Sequence, residues 1–267
     1  MTRLSLPKKT RARLGPISLR ALFLALSLAA CGGGQLPRER PEVLRILPHD
    51  PGAYTQGLVY HEGRLFESTG QYGSSTLREV ALESGEILRS RELAEEYFAE
   101  GLERMGDRLV QLTWKEGIAL VYDLESFEEV GTFEYEGEGW GLCFDGESLF
   151  MTTGGSFLYR RDPETFAVLE SMQITQGGSA LFQVNELACV GDHVYGNVYL
   201  TDRIVRIDKQ TGRVVAEVDG SSLVPPGGRP RAVDAVLNGI AYDAASGVFY
   251  LTGKLWPAVF EVRFVPE

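Results

Sequence analysis

Glu100 is the residue in this sequence whose surroundings most clearly suggest acid–base chemistry. It stands directly before Gly101 and Leu102, at the start of an apolar run. The same frame recurs four times, and the position equivalent to Glu100 is then filled by Gln56, Trp140, Asn185 and Asn238. A single carboxylate among amides and an indole suits general acid–base catalysis on a polar substrate.

The copies of this frame form a long-period repeat, with start points 44, 40, 45 and 53 residues apart. Within each copy, short alternating runs are separated by turn pairs such as Gly106-Asp107 and Asp145-Gly146, which is typical of strands. Strand-like repeats of this period predict an all-β fold, a five-bladed β-propeller whose first strands line a central channel. We expect the five frame residues in one ring at the channel mouth. The alternative is that each only caps the start of its strand.

Two segments fall outside the repeats. Residues 42–47 resemble a strand, and the last repeat, from Asn238 onward, holds only enough residues for three strands. We therefore expect the N-terminal strand to complete and close the last blade, which would bury open sheet edges. The linker 219–236 contains Pro225-Pro226-Gly227-Gly228 and is expected to form a loop over one rim of the channel.

The N-terminus has the features of a targeting segment. Residues 1–30 combine six basic residues with a short apolar run that is too short to span a membrane. Leu28-Ala29-Ala30-Cys31 resembles the bacterial lipobox, which implies cleavage before Cys31 and its lipidation. Gly32 after the cysteine favours the outer membrane, with the domain facing the periplasm. Residues 31–41 would then be a flexible tether and 42–267 one catalytic domain; the alternative is an ordinary secretory signal.

The charge of the remaining chain limits its partners. Without residues 1–30 the 37 acidic residues outnumber the basic ones, and the net charge is −17. Such an acidic body argues against binding nucleic acid or anionic lipid, so membrane contact is expected through the lipid anchor only. The same charge is compatible with cationic peptide substrates.

The cysteines and histidines predict neither a disulfide nor a zinc site. Cys143 and Cys189 lie three and four residues after their frame positions, so on alternating strands they are expected to face opposite ways and to stay unpaired. His49, His61 and His193 are scattered, and no metal-ligand cluster is apparent.

A family resemblance rests on seven motifs in this order: Tyr54-Thr55-Gln56-Gly57-Leu58, Phe66-Glu67-Ser68-Thr69-Gly70, Phe98 to Leu102, Gly139 to Leu142, Asn185-Glu186-Leu187, Leu237 to Ala241 and Thr252 to Pro257. Together they resemble the plant- and bacterial-type, papaya-like glutaminyl-peptide cyclotransferases. The resemblance implies a five-bladed propeller that converts N-terminal glutamine of peptides to pyroglutamate and releases ammonia. It implies no required cofactor and a structural calcium in the channel as an option. We also expect a monomer.

The motifs also carry over the family's functional positions. The resemblance implies a catalytic set of Glu100, Lys254 and Asn185. It implies substrate binding by Tyr54, Gln56, Trp114, Trp140 and Tyr199. Tyr54 and Tyr199 depart from the plant pattern, which has Phe and Trp there, and each adds a hydroxyl that needs a partner.

These residue types suggest a division of labour. Glu100 would shuttle the proton, and Trp114 and Trp140 would raise its pKa by desolvation. Lys254 would stabilise the developing oxyanion, while Gln56 and Asn185 hydrogen-bond the substrate amide. Glu67 is expected to be structural.

Two other functions remain open. One is a non-catalytic propeller lipoprotein that serves as an interaction platform, since one fold hosts many functions. The other is a lyase or glycoside hydrolase, which is weaker because such hydrolases use paired carboxylates.

Overall fold

The computed structural model describes Met1 and residues 36–267, and in these residues the regular structure is entirely β. The strands are β1 (Arg38–Pro48), β2 (Thr55–His61), β3 (Arg64–Thr69), β4 (Thr76–Ala81), β5 (Ile87–Glu92), β6 (Ala99–Met105), β7 (Arg108–Thr113), β8 (Ile118–Asp123), β9 (Glu129–Glu134), β10 (Leu142–Phe144), β11 (Leu149–Met151), β12 (Phe157–Arg161), β13 (Val168–Gln173), β14 (Thr175–Gln176), β15 (Ser179–Ala180), β16 (Val184–Val190), β17 (His193–Val198), β18 (Arg203–Asp208), β19 (Val214–Asp219), β20 (Leu237–Asp243), β21 (Val248–Gly253) and β22 (Ala258–Pro266). The all-β prediction is confirmed.

Most of these strands form four-stranded antiparallel sheets of consecutive strands. Three are separate, β2–β5, β6–β9 and β10–β13, and β14 and β15 form a small ribbon. The remaining strands form one eight-stranded sheet in the order β16-β17-β18-β19-β1-β22-β21-β20. This large sheet has two four-stranded halves, joined where β1 runs parallel to the end of β19 at Arg38 and Glu39.

The N-terminal strand completes the half-sheet that the C-terminal strands begin. β1 pairs antiparallel with β22 from Glu39↔Pro266 to Pro48↔Ala258. The segment predicted as a strand, 42–47, lies inside β1. The strand begins earlier, at Arg38, because the C-terminal residues continue the pairing, with Glu267 N–H donating to the Arg38 carbonyl at 3.1 Å. Residues 38–41, assigned to the tether from the sequence, are therefore part of the sheet.

The repeated sequence frame marks the places where the first strands approach one another. β2, β6, β10, β16 and β20 are neighbours in that order, and β20 also contacts β2. The glycine of the frame is required by this close approach: a Cβ at Gly57 would lie 2.4 Å from the Leu102 nitrogen, and one at Gly101 would lie 2.5 Å from the Trp140 carbonyl oxygen. The frame residues Gln56, Glu100, Trp140, Asn185 and Asn238 thus stand at equivalent places on contacting strands.

The hydrophobic core is divided into clusters, each packed between two neighbouring sheets. Phe66 and Leu109, for example, join the first and second sheets, and Phe150 and Val194 join β10–β13 to β16–β19. Leu58 and Val259 pack the C-terminal half-sheet against the first sheet. Burial of these faces from water stabilises the arrangement.

The prediction that Cys143 and Cys189 stay unpaired is wrong. They form a disulfide between β10 and β16, with their Cα atoms 5.4 Å apart. The two cysteines do point to opposite faces of their own sheets, as their spacing predicts. Neighbouring sheets stack face to face, however, so one face of β10–β13 meets the opposite face of β16–β19, and the two cysteines lie at this contact. Cys143 is buried in the cluster between those sheets, and Cys189 packs against the same cluster.

Apart from Met1, the predicted leader in residues 1–30 lies outside the described residues, and so does the predicted lipidation site Cys31. Among the residues described, no helix has the length and apolar character needed to cross a membrane.

Candidate active site

One pocket at the meeting point of the first strands is lined by all eight residues predicted from the sequence to be catalytic or substrate-binding. The pocket has a volume of about 200 Å³. The lining residues are Tyr54, Gln56, Gln71, Phe98, Glu100, Trp114, Trp140, Asn185, Tyr199 and Lys254. Asn238, the fifth residue of the expected ring, is buried and does not line the pocket.

Glu100 is the buried acid of this pocket. It lies in β6, its residue is only 5% exposed, and Oε1 accepts a hydrogen bond from Gln56 Nε2 at 2.9 Å. Burial raises the pKa of Glu100 well above its usual value; the Lys254 ammonium opposes the shift, and the Glu138 and Glu116 carboxylates add to it. The direction is the one predicted from the aromatic surroundings.

Lys254 is the buried base of the same pocket. It follows β21, its residue is 2% exposed, and its backbone N–H donates to the Val236 carbonyl at 3.0 Å. Its Nζ lies 4.6 Å from the ring centroid of Tyr54 and 5.1 Å from that of Tyr199. Burial lowers the pKa of Lys254 to about 8, against the opposing effect of the Glu100 and Asp234 charges. The ammonium group therefore lies against two tyrosine rings and within the field of the Glu100 and Asp234 carboxylates.

The amide side chains orient the acid and leave two buried acceptors unpaired among residues 36–267, Asn238 Oδ1 and Asn185 Oδ1. Asn238 Nδ2 donates to the Thr55 carbonyl at 2.9 Å and lies 3.4 Å from Gln56 Oε1, which turns Gln56 Nε2 toward Glu100. Asn185 Oδ1 is buried without a hydrogen-bond partner among residues 36–267. An N–H group bound in the pocket would satisfy that oxygen.

Aromatic rings form the walls above these polar groups. Phe98 packs edge-on against Trp114 at 5.6 Å between centroids, and Trp140 packs edge-on against Tyr199 at 5.7 Å. Tyr54 contacts Phe98 at 6.3 Å. The pocket therefore combines apolar aromatic walls with charged and amide groups, which suits a short side chain that ends in a polar group.

Similarity to known proteins extends over most of the chain. The family model described as glutamine cyclotransferase matches residues 18–264. The glutaminyl-peptide cyclotransferase of Arabidopsis thaliana is 38% identical over 227 residues, which are 83% of this chain and 70% of that protein. The chain belongs to the glutamine cyclotransferase family. The crystal structure of Myxococcus xanthus glutaminyl cyclase matches with a TM-score of 0.82 and 38% identity, over 87% of this chain and 100% of that one.

In this glutamine cyclotransferase, the added hydroxyl of Tyr54 has a partner that the sequence did not suggest. Tyr54 Oη donates to Asp234 Oδ2 at 2.9 Å, so a residue of the linker 219–236 is attached to the pocket wall. Burial, followed by the Asp234 carboxylate, raises the pKa of Tyr54.

Several residues that line or support this pocket were not predicted from the sequence. Phe98 could have been found, because it stands in the same motif as Glu100, and Gln71 directly follows a family motif. Asp234 and Glu138 lie in loops that carry no repeat signal. Glu138 Oε2 accepts hydrogen bonds from the indole nitrogens of both Trp114 and Trp140 at 2.9 Å.

Glu67 lies apart from the pocket, in a buried network. Its Oε1 is 2.9 Å from His49 Nε2 and accepts a hydrogen bond from Thr55 Oγ1 at 2.7 Å. His49 Nδ1 in turn lies 2.7 Å from the Trp256 carbonyl oxygen. These contacts tie the start of β2 to the segment after β21, which agrees with the structural role expected for Glu67.

The described residues contain no group of three or more His, Cys, Asp or Glu side chains arranged to hold a metal ion. The optional channel calcium and the absence of a required cofactor remain predictions.

Proposed function

We propose that this pocket is the active site in which the N-terminal glutamine of a peptide is cyclised to pyroglutamate. Family and homology make the chain a glutaminyl-peptide cyclotransferase. The observation that carries the assignment to this pocket is that all eight residues expected to be catalytic or substrate-binding line it, among them one buried carboxylate, Glu100, and one buried lysine, Lys254.

The reaction is an intramolecular acyl transfer. The α-amino nitrogen attacks the γ-carboxamide carbon and forms a new C–N bond, while the carbonyl oxygen gains negative charge. The bond to the side-chain nitrogen then breaks, and that nitrogen leaves as ammonia after gaining a proton. One proton moves from the attacking nitrogen to the leaving nitrogen, so no water or cofactor is consumed.

Glu100 is the proton carrier in this proposal. Its carboxylate accepts the proton from the attacking amine and returns it to the departing nitrogen, a role that typically contributes 10²- to 10⁴-fold in rate. The raised pKa supports this role because it brings the carboxyl closer to the pKa of a peptide amine. The bond from Gln56 keeps the accepting oxygen in place.

Lys254 and Asn185 are proposed to act on the carboxamide. The Lys254 ammonium stabilises the oxyanion that develops on the carbonyl oxygen, in a site where low solvent access strengthens the interaction. The unpaired Asn185 Oδ1 accepts an N–H of the carboxamide. The walls Trp114, Trp140, Tyr54 and Tyr199 fold the side-chain methylenes into the ring-closing conformer.

We propose the five-bladed propeller as the arrangement of the sheets. Each of the two halves of the eight-stranded sheet then counts as one blade, beside the three separate sheets. The order of contacts among the first strands supports a closed ring, with β1 as the outer strand of the last blade. The channel that this ring encloses has the pocket at one mouth.

The cellular setting is part of the same proposal. Cys31 carries the lipid, residues upstream of the sheet domain tether it to the bacterial envelope, and the outer membrane facing the periplasm is the proposed location. The acidic composition supports a monomer that binds peptides and not nucleic acid.

Ammonia release from peptides tests this function. A Gln-initiated dipeptide should release ammonia and yield pyroglutamate, whereas the same dipeptide with an acetylated amine should not, because it lacks the nucleophile. Release from neither peptide by a folded, monodisperse protein would contradict the assignment and favour the interaction platform. Release from both would contradict the amine attack.

A further inference from the structure

Glu138 lies between two tryptophan walls of the pocket and is hydrogen-bonded to both. Its Oε2 accepts one bond from Trp114 Nε1–H and one from Trp140 Nε1–H, each 2.9 Å long. We propose that Glu138 is a positioning residue that fixes both indole rings in the orientation needed to hold the glutamine side chain for cyclisation. This inference rests on the proposed function of the pocket and assigns Glu138 a role within it.

The two rings need a link because they come from different sheets. Trp114 directly follows β7, and Trp140 precedes β10, separated from it by Gly141. In residues 36–267, Glu138 is the side chain that accepts a hydrogen bond from each of them. A change in the spacing of the two sheets would therefore have to break one of these bonds or carry both rings with it.

Other contacts define the plane of each ring but not its rotation within that plane. Phe98 meets Trp114 edge-on, and Lys115 Nζ lies 3.6 Å from the Trp114 centroid. Gly154 packs so closely on Trp140 that a Cβ would lie 2.5 Å from Cε2. Face contacts of this kind let an indole slide, whereas a hydrogen bond to Nε1 fixes the direction of one edge.

The local backbone is shaped to bring Glu138 to this place. A Cβ at Gly139 would lie 2.3 Å from the Tyr135 hydroxyl oxygen and 2.6 Å from the Thr113 carbonyl oxygen, so only glycine allows this approach. Gly139 N–H donates to the Trp114 carbonyl at 2.8 Å, and the Tyr135 hydroxyl accepts the Thr113 N–H at 3.1 Å. The loop after β9 is thus clamped to the end of β7.

The negative charge of Glu138 also affects the pKa of the proposed catalytic acid, Glu100. Its carboxylate adds to the effect of burial in raising the pKa of Glu100. A neutral side chain at this position should therefore lower the Glu100 pKa. Because the carboxylate form of Glu100 is the proton acceptor, the acidic limb of the rate profile should then move to lower pH. The other titratable groups whose charges interact with Glu100 are Lys254, Glu116, Glu186, Tyr54, Tyr72, Tyr135 and Tyr199.

Two variants separate positioning from charge. Glu138→Gln keeps a carbonyl oxygen that can accept both indole bonds but has no charge, whereas Glu138→Ala removes the acceptor as well. Glu136→Gln is the matched control, since Glu136 is exposed, lies in the same loop and does not line the pocket. Near-UV circular dichroism follows the rings, because two of the three tryptophans in the chain bond to Glu138.

We expect Glu138→Ala to lower kcat/KM for a Gln-initiated dipeptide by about 10- to 100-fold, the effect of losing bonds to a charged acceptor, and to change the near-UV spectrum. Glu138→Gln should keep the spectrum and KM near those of the wild type and move only the acidic limb to lower pH. Glu136→Gln should change neither.

Equal loss in Glu138→Gln and Glu138→Ala would overturn positioning by a shared acceptor, and so would an unchanged spectrum and KM in Glu138→Ala. If the wild-type protein released no ammonia, the proposed function would fail. The near-UV comparison would still decide whether Glu138 holds the rings.

Discussion

At the scale of single residues, burial brings the pKa values of Glu100 and Lys254 closer together. The pKa of Glu100 is raised and that of Lys254 is lowered to about 8, in both cases chiefly because the charged form loses solvation. A peptide α-amine has a pKa of about 7.7–8.0. Proton exchange between Glu100 and the amine therefore requires less free energy than with an unperturbed carboxyl.

Tyr54→Phe tests whether one hydroxyl holds the linker against the pocket. The change keeps the ring but removes the bond from Oη to Asp234, so amide hydrogen exchange should become faster in residues 229–236. The free energy of unfolding should fall by about 0.5–1.5 kcal/mol.

The control for this change is Tyr199→Phe. Within the described part of the chain, the Tyr199 hydroxyl makes no hydrogen bond, so its loss should leave exchange in the linker as it was. Equal acceleration in both variants, or none in Tyr54→Phe, would remove the Tyr54–Asp234 bond as the anchor.

At the scale of elements, the sequence predicts the inner strands well because their frame has a steric cause. Each strand start approaches the next so closely that Gly57 and Gly101 admit no side chain. The requirement recurs at Gly141, where a Cβ would lie 1.9 Å from the Asn185 carbonyl oxygen, and so leaves a repeated pattern, although Glu186 fills the glycine position in the fourth copy. Glu138 and Asp234 left no such pattern, because each makes its contacts from a loop whose length differs from one repeat to the next.

The disulfide shows the limit of reasoning within one element. Strand alternation correctly predicts that Cys143 and Cys189 point to opposite faces of their sheets. It does not predict which faces of neighbouring sheets are in contact. That information comes from the stacking of β10–β13 on β16–β19, in which the facing surfaces belong to opposite sides. Pairing between neighbouring repeats must be judged across sheets, not along one.

The double change Cys143→Ala with Cys189→Ala tests the stabilising effect of this link. The bond closes a loop with a sequence separation of 46, and loop-closure entropy then predicts a loss of about 4 kcal/mol in the free energy of unfolding. Denaturant unfolding measures the loss, and reduction of the wild-type protein should reproduce it. A midpoint that neither the substitutions nor the reductant moves would show that the bond does not form in solution.

At the scale of the whole molecule, the sequence predicted the residues that line the pocket better than the ends of the strands that hold the fold together. The all-β class, the position of the N-terminal strand beside β22 and the eight pocket residues were all accessible from the repeat and the motifs. The start of β1 at Arg38 was not, because it depends on pairing with the far C-terminus. A soluble fragment should therefore begin at Leu36, so that β1 stays whole.

Ammonia release by the fragment 36–267 and its Glu100→Gln variant is the most direct test of the central claim. The variant keeps an oxygen that can accept the Gln56 bond, so the fold and the near-UV spectrum should persist while the rate falls by about 10²- to 10⁴-fold. Glu136→Gln is the control, since Glu136 is an exposed glutamate that does not line the pocket. The control should retain the wild-type rate. A Glu100→Gln protein that releases ammonia at the wild-type rate would contradict the account.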